Sequence, residues 1–163
     1  MKNNIISSCF FILFLFVIAC NENSTEPQDD IRAKPVIKKS SENYDQESFR
    51  ISFPDTTSLN NISKYYSNNF SEDKRNKLIE YITGEVTKLG EDANSFNNIL
   101  AITGCKLSDE YLLPTYAERA KYEGEEVWIF QITYGLGEPN FGHYKCFAFS
   151  IDTLDTLDYV GCK

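Results

Sequence analysis

The chain has 163 residues, with 16 Lys and Arg against 24 Asp and Glu, a net charge of −8, and 42% hydrophobic residues. That length holds one ordinary domain. The acidic balance excludes a chain that depends on basic patches for nucleic acid or anionic lipid headgroups, so no nucleic-acid partner is expected.

The first element is apolar. After "MKNN", whose Lys2 is its one charge, the run from Ile5 to Ala19 holds nothing more polar than Ser7, Ser8 and Cys9. Fifteen helical residues cover roughly 22 Å, less than the ~30 Å hydrocarbon core of a bilayer. A charged start, a short apolar run and a small residue at its end are the parts of a secretory signal. The run closes on "VIAC", Val17-Ile18-Ala19-Cys20, which resembles the lipobox of bacterial lipoproteins. The resemblance implies cleavage after Ala19, diacylglycerol on the Cys20 sulfur, and a membrane partner reached through that lipid. Two or more acyl chains hold a protein stably, at about 0.8 kcal/mol per buried CH₂. The alternative is a plain signal peptide with an incidental Cys20. Asn21, where inner-membrane lipoproteins carry an aspartate, points by the same analogy to the outer membrane.

Removing residues 1–19 leaves 144 residues with a charge of −9. Residues 20–47, "CNENSTEPQDDIRAKPVIKKSSENYDQE", are polar with isolated Ile31, Val36 and Ile37. Such a stretch buries too little surface to offset its ordering entropy, so it is expected to be a lipidated tether, with the globular domain spanning 48–163.

Within that domain, "FRISF" alternates Phe49, Ile51 and Phe53 like a short strand halted by Pro54. "SLNNISKYY" spaces Leu59, Ile62, Tyr65 and Tyr66 as a short helix. The clearest helix covers about 72–89. Ser71 is a good N-cap, Glu72 and Asp73 face the positive dipole end, and Leu78, Ile79, Ile82, Val86 and Leu89 form one stripe before Gly90. Gly84 within it suggests a close packing contact. A shorter helix over Asp92–Ala101 would bury Phe96, Ile99 and Leu100.

The remainder reads as strands. "YLLPTYAERAKYEG" turns near Gly124 into "EVWIFQITYG", and "HYKCFAFSID" leads through a tight turn to "TLDYVGCK". Helices followed by strands on short connections give an α+β domain: a helix packed on a four-stranded antiparallel meander. From Ser71 to Lys163 this order resembles cystatin-like and PepSY-like domains, which implies a long helix across the sheet and a role in binding. The inhibitory Gln-x-Val-x-Gly loop of cystatins has no match here, so inhibitor activity is not implied.

Chemistry-bearing residues are sparse. His143 is the one histidine, and a histidine metal site needs several clustered ligands. No Gly-x-Ser-x-Gly elbow is present. The glycines of "GLGEPNFG" (Gly135, Gly137 and Gly142) join two strands and open no helix, which rejects a phosphate cradle. Glu118, Glu125, Glu126 and Glu138 are candidate carboxylates. No cofactor is expected. The expected function is a non-enzymatic binding or structural lipoprotein of the cell envelope with a protein or peptide partner. The alternative is a small hydrolase using carboxylates or His143. Trp128, Phe130 and Tyr134 share one strand face, either as core beneath the helix or as an exposed binding patch.

Cys105, Cys146 and Cys162 remain in the mature chain, and in an oxidising envelope two of them should pair. Matching apolar faces sets Phe149 against Tyr159 and Cys146 across from Cys162, around a turn Thr153–Asp155. A wider turn would leave Cys162 for Cys105.

Overall fold

The computed structural model describes residues 33–66, 71–105, 112–134 and 143–161. Cys20 and the rest of the lipobox, Glu138 and its glycine loop, and Cys162 lie outside the described residues.

The order is β1 (Val36–Tyr44), α1 (Gln46–Ser52), α2 (Thr56–Tyr66), α3 (Glu72–Lys88), α4 (Ala93–Ile102), β2 (Leu112–Tyr122), β3 (Glu125–Tyr134), β4 (His143–Ser150) and β5 (Thr156–Gly161). The fold is α+β with one five-stranded mixed sheet in the order β1-β2-β3-β4-β5. The expected antiparallel meander is its β2–β5 part. The fifth strand, β1, joins β2 in parallel, with Val36 opposite Tyr116 and Tyr44 opposite Tyr122.

That strand corrects the tether boundary of residue 47. Its polar sequence hides its role because only Ile37 and Tyr44 are buried, as suits an edge strand with one neighbour. Its ladder is irregular between Lys39 and Asn43, and its lysines and bulge blunt the open edge. The far end is tied down by backbone groups of the β2–β3 turn. Glu123 N–H donates to the Tyr44 carbonyl at 2.7 Å, and Gly124 N–H donates to Asn43 Oδ1 at 2.8 Å. Both turn residues have positive φ, 50° and 87°, the requirement of a two-residue type I′ hairpin.

The segment "FRISF" is helical in α1 up to Ser52, which corrects its strand reading. Asp45 accepts from Ser48 N–H at 2.8 Å while Ser48 Oγ accepts from Asp45 N–H at 2.8 Å, a reciprocal cap. Phe49 is buried but Ile51 is 77% exposed, so the alternation that suggested a strand does not sort the faces.

The other helices follow the sequence. Ser71 Oγ accepts from Lys74 N–H at 3.4 Å, and Asp92 accepts from Ser95 N–H at 2.8 Å. Leu78, Ile82 and Val86 of α3 join Phe96, Ile99 and Leu100 of α4 in one core. Gly84 marks no close contact, because a Cβ there would meet nothing within 4 Å.

Two cores flank the sheet. The helix side holds Ile37, Ala117, Trp128, Phe130, Ile132 and Phe149 under α3 and α4. The opposite side holds Tyr44, Tyr116, Tyr122, Val127, Ile129 and Cys146 around Phe49 and Phe53. Phe53, preceding a cis bond to Pro54, sets its ring 5.3 Å from Tyr116 and 5.8 Å from Tyr44.

Candidate functional site

Strand alternation sorts the chemistry of the sheet by face, and the side under α1 receives the polar groups. Glu118, Gln131, Thr115, Ser150 and Asp158 are all buried. A buried carboxylate is costly unless charge and hydrogen bonds compensate it. Glu118 has both. Its Oε2 accepts from Tyr44 Oη at 3.2 Å and from Tyr116 Oη, and Lys38 Nζ lies 3.4 Å from Oε1. Lys38 stands opposite Glu118 in the β1–β2 register, so the ion pair exists only because β1 is part of the sheet. Its ammonium also lies 5.4 Å from the Tyr116 ring centroid, within cation–π range.

The same device recurs at the other edge. Asp158 accepts from Tyr122 Oη at 3.1 Å and pairs with Arg50 of α1 at 3.5 Å. Burial, then the charge and hydrogen bond of Glu118, hold the Tyr44 phenol well above its ordinary range. Burial followed by the Glu118 hydrogen bond does the same to Tyr116. Burial and the Asp158 bond push Tyr122 up to about 12. All three hydroxyls therefore stay protonated donors at neutral pH.

Between these clusters, Gln131 clamps the segment joining α1 to α2. Its Nε2 donates to the Asp55 carbonyl at 3.0 Å and to Thr115 Oγ1 at 2.9 Å, while its Oε1 accepts from Asp55 N–H at 2.5 Å. None of these networks was read from the sequence, since each joins positions far apart in the chain. An isolated polar residue inside an apolar run, Gln131 in "WIFQIT", is the signal that could have found its clamp; Glu118 in "TYAERA" stands beside Arg119 and carries no such signal.

The residues singled out from the sequence are dispersed. Glu126 pairs with Arg119 at 2.9 Å, and Glu125 accepts from Ser150 Oγ. Trp128 and Phe130 are buried, at 2% and 0% exposure, with Phe96 of α4 set 4.9 and 5.4 Å from their rings. They are core, which corrects the exposed-patch alternative for both. Tyr134, the third member, is half-buried and lies 5.4 Å from the His143 ring in a stacked pair.

The cysteine register also needs correction. β4 and β5 pair Cys146 with Val160 and Phe147 with Tyr159, and the ladder shifts between Ala148 and Phe149. The expected pairing of Phe149 with Tyr159, which placed Cys146 across from Cys162, is not the one formed. The connection is longer than the expected turn, with Ser150 N–H donating to the Asp155 carbonyl at 2.8 Å and Leu154 at φ 62°. Cys105 and Cys146 are both buried, in cores on opposite sides of the sheet.

Tyr134 and His143 begin a second feature. Lys145 Nζ sits 5.6 Å from the Tyr134 ring, and farther along Phe147 and Tyr159 stand 5.2 Å apart. Tyr159 is 47% exposed. This row lies on the helix side of β3, β4 and β5.

Among the described residues, no three His, Cys, Asp or Glu side chains gather as a metal site requires. No helix among them is long and apolar enough to cross a membrane. Comparison with protein families, curated proteins and solved structures finds no match.

Proposed function

We propose that this chain is a cell-envelope lipoprotein, anchored through acylated Cys20 at the outer membrane, whose α+β domain binds or scaffolds and does not catalyse. One observation carries the anchoring: Val17-Ile18-Ala19-Cys20 closes a fifteen-residue apolar run and gives way at once to "NENSTEPQDD". The domain's internal chemistry supports a non-catalytic reading. Glu118 and Asp158 have their oxygens engaged by tyrosine hydroxyls and a cation, an arrangement that joins β1 and α1 to the sheet. In the same reading, α3 with the β2–β5 meander is of the cystatin-like and PepSY-like kind, and β1 is an added parallel edge strand. Its support is the element order, one long helix ahead of four antiparallel strands.

The deciding experiment is mass spectrometry of the mature N-terminus from membranes of a bacterial host. Acylated Cys20 as the first residue is the expected result, and Cys20→Ala should move the protein to the soluble fraction. An unmodified Cys20, or cleavage elsewhere, overturns the anchoring. Turnover on ester, peptide or glycoside substrates that disappears in His143→Ala or Glu118→Gln would transfer the case to the hydrolase.

A further inference from the structure

We infer that Asp158 closes the β5 edge of the sheet against strand addition, and that the strand it excludes is β5 of a second copy of this chain.

The two edges of the sheet differ. β1 carries lysines and an irregular ladder. β5 has neither lysine nor proline, and β4 is its one neighbouring strand among the described residues. Such an edge offers its outward N–H and C=O groups to any other strand. The turn before β5 fixes which groups those are. Ser150 N–H donates to the Asp155 carbonyl at 2.8 Å, and bonded and non-bonded positions alternate along an antiparallel strand. The register shift adds Leu157 on β5 and leaves β4 continuous, so even-numbered residues of β4 bond to β5. Phe147 and Tyr159 are therefore a non-bonded pair. The N–H and C=O of Tyr159 face away from β4, in the open edge.

That N–H is already taken. It donates to Oδ1 of Asp158 at 2.7 Å. Asp158 is the one charge of β5 and is 8% exposed. Tyr122 Oη donates to its Oδ2 at 3.1 Å, and Arg50 of α1 lies 3.5 Å from Oδ1. A carboxylate pointing inward, fixed from β2 and α1, thus occupies a donor that an added strand would need. Joining the edge there means breaking a charge-assisted hydrogen bond.

Self-complementarity identifies the excluded strand. Two β5 strands related by a two-fold axis normal to the sheet keep their faces matched only when odd-numbered residues oppose odd ones. Centring the axis on Asp158 opposes two carboxylates, which is unfavourable. Centring it on Tyr159 opposes two aromatic rings and sets Asp158 against Val160, with no like charges opposed. Two bonds from Tyr159 N–H to Tyr159 C=O then close the pair at the axis, and their donors are the ones that Asp158 withholds.

The unmodified sequence gives the first test. In the mature chain held in detergent micelles, the Tyr159 amide should exchange its hydrogen about tenfold or more slowly than in an unstructured chain. Exchange at the unstructured rate would show an open donor and overturn the inference. Sedimentation, with micelles in large excess over protein, reads association. Asp158→Asn keeps an Oδ1 acceptor and should match the parent, whereas Asp158→Ala should associate at least about tenfold more tightly. An Asp158→Ala chain of native Trp128 emission that associates no more than the parent overturns the inference, as does an Asp158→Asn chain that behaves like Asp158→Ala. If Asp158→Ala loses the native emission, the amide measurement decides alone. Adding Tyr159→Lys to Asp158→Ala opposes two ammonium groups at the axis and should abolish the association. A double variant that still associates overturns β5 of a second copy as the excluded strand.

Discussion

Replacing Phe96 by alanine tests the seating of α4 on the sheet. Phe96 is 2% exposed and makes an edge contact with Trp128 at 4.9 Å and a tilted one with Phe130 at 5.4 Å. Phe→Ala in a packed core costs about 3–5 kcal/mol, combining lost transfer energy with the cavity left behind. The aromatic pairs keep this site away from the bottom of that range, so about 4 kcal/mol, its middle, is expected. Domains of this size have stabilities of about 5–15 kcal/mol, so the variant should fold but be marginal. With a urea slope of about 2 kcal/mol per molar, the midpoint should fall by about 2 M. Trp128 is the chain's one tryptophan, so its emission follows unfolding and reports on the contact directly. The native emission of Phe96→Ala should also shift to the red. Phe96→Leu keeps most of the volume and should lose less than about 1.5 kcal/mol. A Phe96→Ala midpoint within about 0.5 M of the parent, with unchanged emission, would refute the packing argument.

Tyr44, Tyr116 and Tyr122 keep their protons in the fold at pH values where the unfolded chain releases them. Their stabilising effect is complete below the ordinary phenol value of about 10 and is lost as pH rises above it; for Tyr122 the loss completes near 12. Urea midpoints should therefore decline above about pH 10, more gently in Tyr122→Phe, and a flat profile to pH 12 would contradict the tyrosine–carboxylate networks. Glu118→Ala should leave two buried hydroxyls without their acceptor and cost about 2–6 kcal/mol, at about 1–3 kcal/mol for each; a thermal midpoint equal to the parent's would show that neither hydroxyl depends on Glu118. Non-reducing peptide mapping should find no link between Cys105 and Cys146, whose cores lie on opposite sides of the sheet; such a link would mean that α4 and its following turn are misplaced.

The sequence was most informative where periodicity and burial agree. The stripe of α3 and the apolar face of α4 are legible because a helix with one covered side must repeat that way. The four antiparallel strands are legible because β-branched and aromatic residues cluster between turn signals. β1 was missed because a parallel edge strand with a wet outer margin needs few apolar residues; Ile37 and Tyr44 suffice, and the rest of its hold comes from a ladder to residues not yet in view. α1 was missed because three apolar residues at alternate positions outweighed the Asp45–Ser48 cap. The β4–β5 register failed at the turn, which closes between Ser150 and Asp155 and not around Thr153–Asp155; the shift between Ala148 and Phe149 then restores the odd-with-odd pairing that face-matching requires. The carboxylate–tyrosine clusters were invisible for the same reason as β1. Tyr44 and Glu118 are 74 positions apart, and nothing local to either announces the other.

The parallel partnership of β1 also bears on the order in which the sheet is completed. Val36 pairs with Tyr116, so the strand nearest the proposed lipid must wait through four helices before its neighbour exists. Closing a loop of that length is slow relative to forming the helices or the β2–β3 hairpin. The meander can assemble first, with β1 as its final addition. Any pull transmitted along the chain from the bilayer would then reach this last-joined strand first, ahead of both cores. If the proposed anchor holds, attachment and completion of the sheet meet at one edge, and tension on the N-terminal side would be read there as a strand released.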